Sequence, residues 1–265
     1  SARDVLVRGG VKADVVLLGQ VLSELDPQGD PERRLAQQSE LVLHLLESVV
    51  ADDGSLVIVE PALRDRTRHL HALRDRVLEK AKGAHVFAPC LHQGKCPALA
   101  IETEWCHEDL EGIDLPPWVA SLARSAGLRW QGLTFRYLVL RRDGRRLLPA
   151  LSAEALVRTK RFRAISHVLK TKGKAELIVC HEEPPGSPLQ RIRQLDRDAA
   201  KRKAGSPFED LRRGDVVSLS VPPDDVPNAA EAVPERTPSK TSDSSLVIDE
   251  RGRVNHNVAI DVGRF

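Results

Sequence analysis

Methionine is missing from this chain of 265 residues, tyrosine occurs once, and Phe, Trp and Tyr together make up 3% of it. So few aromatic faces limit base stacking, so contacts to a nucleic acid are expected mainly at phosphates, which suits double-stranded or structured RNA better than sequence reading of single strands. With no methionine even at position 1, the sequence is expected to be a fragment or a processed product. No apolar run approaches the roughly 20 residues needed to span a bilayer, so a soluble protein is expected. Cysteine is scarce too, with four in all, which is too sparse for a disulfide scaffold in a domain whose size needs no staples.

What is present is unevenly placed. Formal net charge is only +2, yet residues 141–213 hold 19 Lys and Arg against 9 Asp and Glu, a local charge of +10. A solvated surface usually mixes both signs, so this segregation points to a module that faces a polyanion, nucleic acid first. Three of the cysteines, Cys90, Cys96 and Cys106, fall within seventeen residues, in a stretch carrying Pro89, His92, Gly94, Pro97 and His107. That is the composition of a shaped loop, and clustering thiols against so low a background argues for one shared metal site. Cys180 ends the apolar run Leu177-Ile178-Val179 and reads equally well as a small buried hydrophobe or as a fourth ligand. Iron–sulfur and zinc both accept four thiolates, so the residues leave the metal open. His92 and His107 stay outside the ligand set.

The hydrophobic pattern gives the order of elements. Ala13 to Gly19 is a continuous apolar run of the kind buried on both faces of a sheet. A helix is predicted from Pro31 to Val50, with Leu35, Val42, Leu45, Leu46 and Val49 sharing a face. Asp53-Gly54 breaks it, Ser55 to Pro61 is a second buried strand, and Leu63 to Lys82 is an Arg-rich amphipathic helix. Strand, helix, strand, helix predicts parallel pairing in a doubly wound α/β sheet. Beyond the cysteines, a short helix opens at Pro116-Pro117 and ends at Ala126-Gly127, and residues 128–135 and 136–142 form two strand candidates. Short strands at 163–169, 175–180 and 215–221 predict a small β module of OB-like barrel type, with Arg191, Arg193, Arg197, Lys201, Arg202 and Lys203 on a helix. Residues 222–245 are rich in Pro, Ser, Asp and Glu and read as a linker. Leu246 to Ile248 and Val258 to Ile260 are then expected to make a terminal hairpin. The expected division is 1–150 as a partial α/β domain with a cysteine loop at 88–107, 151–221 as the basic β-rich module, and 222–265 as linker and tail.

Strand order in the first part resembles the C-terminal half of a class I S-adenosylmethionine-dependent methyltransferase, a Rossmann-like sheet without the glycine-rich half that meets the cofactor. Pro89-Cys90-x-His92, Cys96-Pro97, Trp105-Cys106-His107, the run Leu169 to Leu177 and Asp210 to Asp215 resemble the mitochondrial small-ribosomal-subunit methyltransferase-like family and its bacterial relatives. The likeness extends from about residue 14 to residue 219. It implies a four-iron, four-sulfur cluster on Cys90, Cys96, Cys106 and Cys180, with zinc the alternative. The implied partners are small-subunit ribosomal RNA and the pre-ribosomal particle, in the cytoplasm of a bacterium or the mitochondrial matrix of a eukaryote.

Three functions are then open: rRNA methyl transfer by the intact protein, an RNA-binding assembly factor that keeps the methyltransferase fold as architecture, or a zinc-stabilised nucleic-acid-binding module. Gln20, Ser23 and Glu24 are the expected cofactor-side residues, although capping of the next helix explains them equally well. No catalytic residue is assigned. The expected RNA contacts are Arg161, Arg163, Lys170, Lys172 and Lys174, with Gly173 allowing a phosphate to approach the backbone.

Overall fold

The computed structural model describes residues 12–128, 132–183, 185–202, 206–220, 248, 252–254 and 258–263. It is a mixed α/β chain with two sheets. Two compact units divide it: Ser1–Pro89 with Ile101–Arg145, and Cys90–Ala100 with Arg146–Phe265. The boundary near residue 150 thus falls at Arg145, and part of the cysteine loop goes with the second unit.

In the first unit, β1 (Ala13–Gly19) pairs in parallel with β2 (Val50–Pro61). Between them runs α1 (Pro31–His44), opened by Asp30, whose carboxylate accepts the Arg33 amide at 2.8 Å, with proline in the first turn. One π turn, Leu45–Val49, carries the helix into β2. Val42, Leu45, Leu46 and Val49 are buried together, as their shared face predicts. Next, α2 (Arg64–Lys80) buries Leu70, Leu73 and Val77. Then come β3 (His85–Ala88), β4 (Glu108–Leu110), α3 (Pro117–Ser125) and β5 (Leu133–Arg141).

The sheet order is β1-β2-β5-β3, with β4 also on β5. Three expectations change here. Among the described strands of this sheet only β1 and β2 pair in parallel, because β5 inserts antiparallel between β2 and β3. Of the two strand candidates at 128–135 and 136–142, residues 129–131 lie outside the described ones, and Leu133–Arg141 is one continuous strand whose alternation buries Arg136, Leu138 and Leu140 in turn. Finally, β1 is not buried on both faces: its one partner among the described residues is β2, and Val15 and Leu17 are 63% and 64% exposed.

The second unit is a β-barrel-like ring. After α4 (Ala153–Arg158), β6 (Thr159–Ala164) lies between β8 (Lys174–His181) and β10 (Val216–Ser220), antiparallel to both. A short β7 (Leu169–Thr171) makes a hairpin with β8 through Gly173, whose φ of 84° suits glycine. On the other edge of β8 lies β9 (Gln190–Leu195), followed by the one-turn α5 (Asp196–Ala199) and a 3-10 turn, Pro207–Asp210. Then β11 (Ala259–Gly263) pairs with β10.

Just before β11, residues 252–254 run parallel to β9. The Arg193 amide donates to Gly252 O and the Val254 amide to Arg193 O, both at 2.8 Å. Gly252 is obligatory there, because a Cβ would stand 2.3 Å from Arg191 O. Phe162, Leu177, Val179, Ile192, Phe208, Val217, Leu219, Val254 and Val258 fill the interior.

Three expectations change in this unit. The strand expected at 163–169 is split, since β6 ends at Ala164 and β7 begins at Leu169. Arg191 and Arg193 lie on strand β9 rather than on a helix, because the segment alternates: Ile192 and Gln194 are buried and the arginines between them are not. The runs at 248 and 258–260 do not form a hairpin with each other, since Ile248 bridges Val254 while β11 joins β10. The linker expected at 222–245, Lys203, Leu246 and Val247 lie outside the described residues.

Candidate functional site

All four cysteines are thiols rather than disulfides. Cys90, Cys96 and Cys180 belong to the second unit, Cys106 to the first. Cys180 faces outward from β8, since its neighbour Val179 points into the core. Its Sγ lies 3.4 Å from Nε2 of His92, a side chain only 3% exposed. The loop that delivers His92 is packed closely against a second turn: a Cβ at Gly94 would come within 2.8 Å of the Gly186 amide nitrogen. Thus residues 90–100 lie over the Cys180 end of the barrel's outer face. Among the described residues no group of three or more His, Cys, Asp or Glu side chains converges as a metal site. The donor chemistry itself, reduced thiols with an imidazole against one of them, is that of soft-metal sites.

Cys106, in the first unit, is held from two sides. His71 of α2, fully buried, places Nε2 3.3 Å from Cys106 O, and Arg136 of β5 places Nη1 3.8 Å from Cys106 Sγ. Burial first, and then the Arg136 guanidinium, push the His71 pKa well below its ordinary value. The ring is therefore neutral and donates Nε2–H to the carbonyl. Arg68 pins the chain just before it, donating to Ile101 O at 2.8 Å and Glu104 O at 2.7 Å. Sequence reasoning overlooked His71 and Arg136. The signal was that Thr67, His71 and Arg74 fall on the same face of α2 as Leu70 and Val77, and all of them are buried.

A cleft of about 490 Å³, counted to its open mouth, lies at the carboxyl end of the β1–β2 pair, lined by Leu22, Ser23, Arg34, Glu60, Arg66 and His69 among others. Glu60, 3% exposed, accepts the amides of Leu22 and Ser23 at 2.9 and 3.2 Å. Gln38 donates to Leu22 O at 2.8 Å and accepts from His69 Nε2 at 2.8 Å. Burial, then Arg34, lower the His69 pKa, so this ring too is neutral. Of the three expected cofactor-side residues, Ser23 lines the cleft. Glu24 meets Arg66 at 3.5 Å in an exposed pair, and Gln20, at φ 55°, extends the ladder by donating to Val59 O.

The expected RNA contacts separate into two groups. Arg161 is buried, gripping the Glu182 carboxylate with two nitrogens and donating to Pro149 O at 2.9 Å. Arg163 is buried as well and donates to Gly214 O at 3.1 Å. Both therefore serve the unit's own structure. Lys170, Lys172 and Lys174 lie on the β7–β8 hairpin: Lys170 pairs with Glu209, Lys174 meets Glu176 at 2.9 Å, and Lys172 is exposed.

Among the described residues no helix is long and apolar enough to cross a membrane. No curated protein matches the chain. A family model, described as mitochondrial small ribosomal subunit Rsm22, matches residues 3–194. With well over half of its 265 residues inside that match, the chain belongs to the Rsm22 family.

Proposed function

We propose that this protein works with the small ribosomal subunit as an RNA-binding assembly factor, built on a methyltransferase-type sheet and holding a metal centre on Cys90, Cys96, Cys106 and Cys180. The observation that carries the reading is the family match over residues 3–194. Its description supports the subunit as partner, and the mitochondrial matrix as location in a eukaryote. An exposed lysine hairpin supplies the charge for RNA phosphates. The parallel β1–β2 pair, followed by an antiparallel strand inserted before β3, supports kinship with the last strands of class I methyltransferase sheets.

Binding is favoured over methyl transfer because the cleft's innermost carboxylate, Glu60, is already engaged by two backbone amides, which makes it an architectural acid. S-adenosylmethionine is then not required for the proposed role. A four-iron, four-sulfur cluster, or zinc, on the four thiolates supplies folding free energy that depends on metal supply and, for the cluster, on oxidation. His92 fits beside it as a donor to the Cys180 sulfur, and Arg136 as a cation beside Cys106.

The test is anaerobic purification with iron, sulfide and zinc quantified alongside the absorbance spectrum, followed by binding to fragments of small-subunit rRNA. Metal near one site per chain, lost in Cys96→Ser and Cys180→Ser, is the expected result. Full metal content in both variants overturns the thiolate set. Absence of rRNA binding at low salt overturns the RNA reading. Methylated RNA product from S-adenosylmethionine would replace the assembly reading with the enzymatic one.

A further inference from the structure

The pairings of the second unit close a ring with a distinctive pattern. Going round it, β6–β8, β8–β9, β11–β10 and β10–β6 are antiparallel, and the contact of β9 with residues 252–254 is parallel. The helical turns α5 and 207–210 fall between β9 and β10, and Phe208 from the second of them is buried in the barrel interior. This is the connectivity of the OB-fold, a five-stranded Greek-key barrel in which the second and third strands and the loop joining the first two present the ligand surface. Here those parts are β8, β9 and the hairpin around Gly173.

The outer face of β8 and β9 is divided. At one end it is covered, since Cys180 meets His92 and Arg161 and Arg163 are buried. At the other end the outward pairs are Lys174 with Leu195, Glu176 with Arg193, and Ile178 with Arg191. Arg191 keeps 57% of its side chain exposed, and Lys172 stands at the hairpin tip. Glu176 is the one carboxylate among these outward residues, 2.9 Å from Lys174 and 3.9 Å from Arg191. Asp196, exposed and with its amide on Gly173 O, is a second carboxylate beside the hairpin, so four cations against two carboxylates leave the open end positive. Fold likeness alone assigns no ligand; the surplus charge does.

We propose that the open end of the β8–β9 face, with Lys172, Lys174, Arg191 and Arg193, binds single-stranded RNA through its phosphates. This rests on the RNA-binding reading above and adds the surface and the state of the strand. No aromatic side chain stands among those outward residues, so bases are not stacked there and sequence is not read. Two strands lie about 4.8 Å apart, and six residues extend about 20 Å. Such a strip fits one backbone over a few nucleotides, within the roughly 4–16 that OB-folds cover. Duplex recognition by shape needs contacts across about 16 base pairs.

The experiment titrates the full chain against a labelled twelve-nucleotide oligouridine and a sixteen-base-pair RNA duplex by fluorescence anisotropy over a range of salt. The expected result is tighter binding of oligouridine, with a linear fall of log affinity against log salt. In Arg191→Gln/Arg193→Gln affinity should fall at least tenfold at low salt, and the slope should shrink by about 1.4, at about 0.7 per single-strand phosphate. Arg191→Lys/Arg193→Lys should restore most of both, and it keeps the test valid if the glutamine pair fails to fold. Tighter duplex binding overturns the proposal. Unchanged oligouridine binding in the glutamine pair also overturns it, while the RNA reading stands if rRNA fragments are still bound. No RNA binding by the wild type removes the broader reading itself.

Discussion

His71 occupies a position on the core face of α2 where leucine would serve packing better, and its return is a hydrogen bond to the carbonyl of Cys106. Its pKa is lowered by burial and then by Arg136. The unfolded chain, with an ordinary histidine value of about 6.5, therefore binds more protons than the folded one just below that pH. Stability rises with pH up to about 6.5 and is lost on acidification below it. His69 and His181, both lowered mainly by burial, act with the same sign. The urea midpoint should be lower at pH 5.5 than at pH 7.5, and His71→Gln should flatten that difference. It should also cost about 1 kcal/mol at pH 7.5 for the weakened hydrogen bond. An equally steep pH dependence in the variant would assign the effect to other groups. These residues were illegible in the sequence for a simple reason: a histidine or arginine in a helix rich in charge reads as surface until its partner across the fold is known.

At the scale of elements, the two ends of the barrel seam are tied by Arg253, whose guanidinium donates to both oxygens of Asp198 at 2.8 and 2.9 Å. Asp198 is fully buried. Burial, the largest single influence, raises its pKa, and the Arg253 hydrogen bonds together with the charges of Arg253, Arg197 and Lys201 bring it below the ordinary value. Arg253→Gln leaves this carboxylate uncompensated and should destabilise by about 3 kcal/mol, read as a lower midpoint in urea. Leu177→Ala, opening a cavity among Phe162, Ile192 and Phe208, should cost about 2–5 kcal/mol in the same assay. The helices α1 and α2 were legible because a 3.6-residue period fixes both the element and its buried face. Strand β9 was not, because a basic run with a single isoleucine carries too weak a two-residue period to stand out against helix-friendly Arg, Gln and Leu. For β1 the apolar run was read correctly as a strand, but apolarity does not count neighbours, and with one partner strand among the described residues its Val15 and Leu17 are exposed.

For the whole molecule, the segregated charge is legible from the order of residues alone, and the fold resolves it into two uses. Part of it, Arg161 and Arg163, is consumed inside the second unit, and part, on the hairpin and β9, is left outward. Which arginines fall in which part depends on the register of β6 against β8, a long-range property that no local window carries. The family match ends at residue 194, within β9, whereas the ring draws on residues up to 263. A chain cut after residue 245 loses Ile248, Val254, Val258 and β11, and should show rapid proteolysis within residues 146–245; resistance equal to the full chain would contradict the ring. There is a consequence for biosynthesis. A ribosome that halted near residue 220 would release a product in which β9 and β10 each show a bare margin, the feature through which sheets recruit foreign strands and clump. Decoding carried past Gly263 supplies the residues that cover both margins.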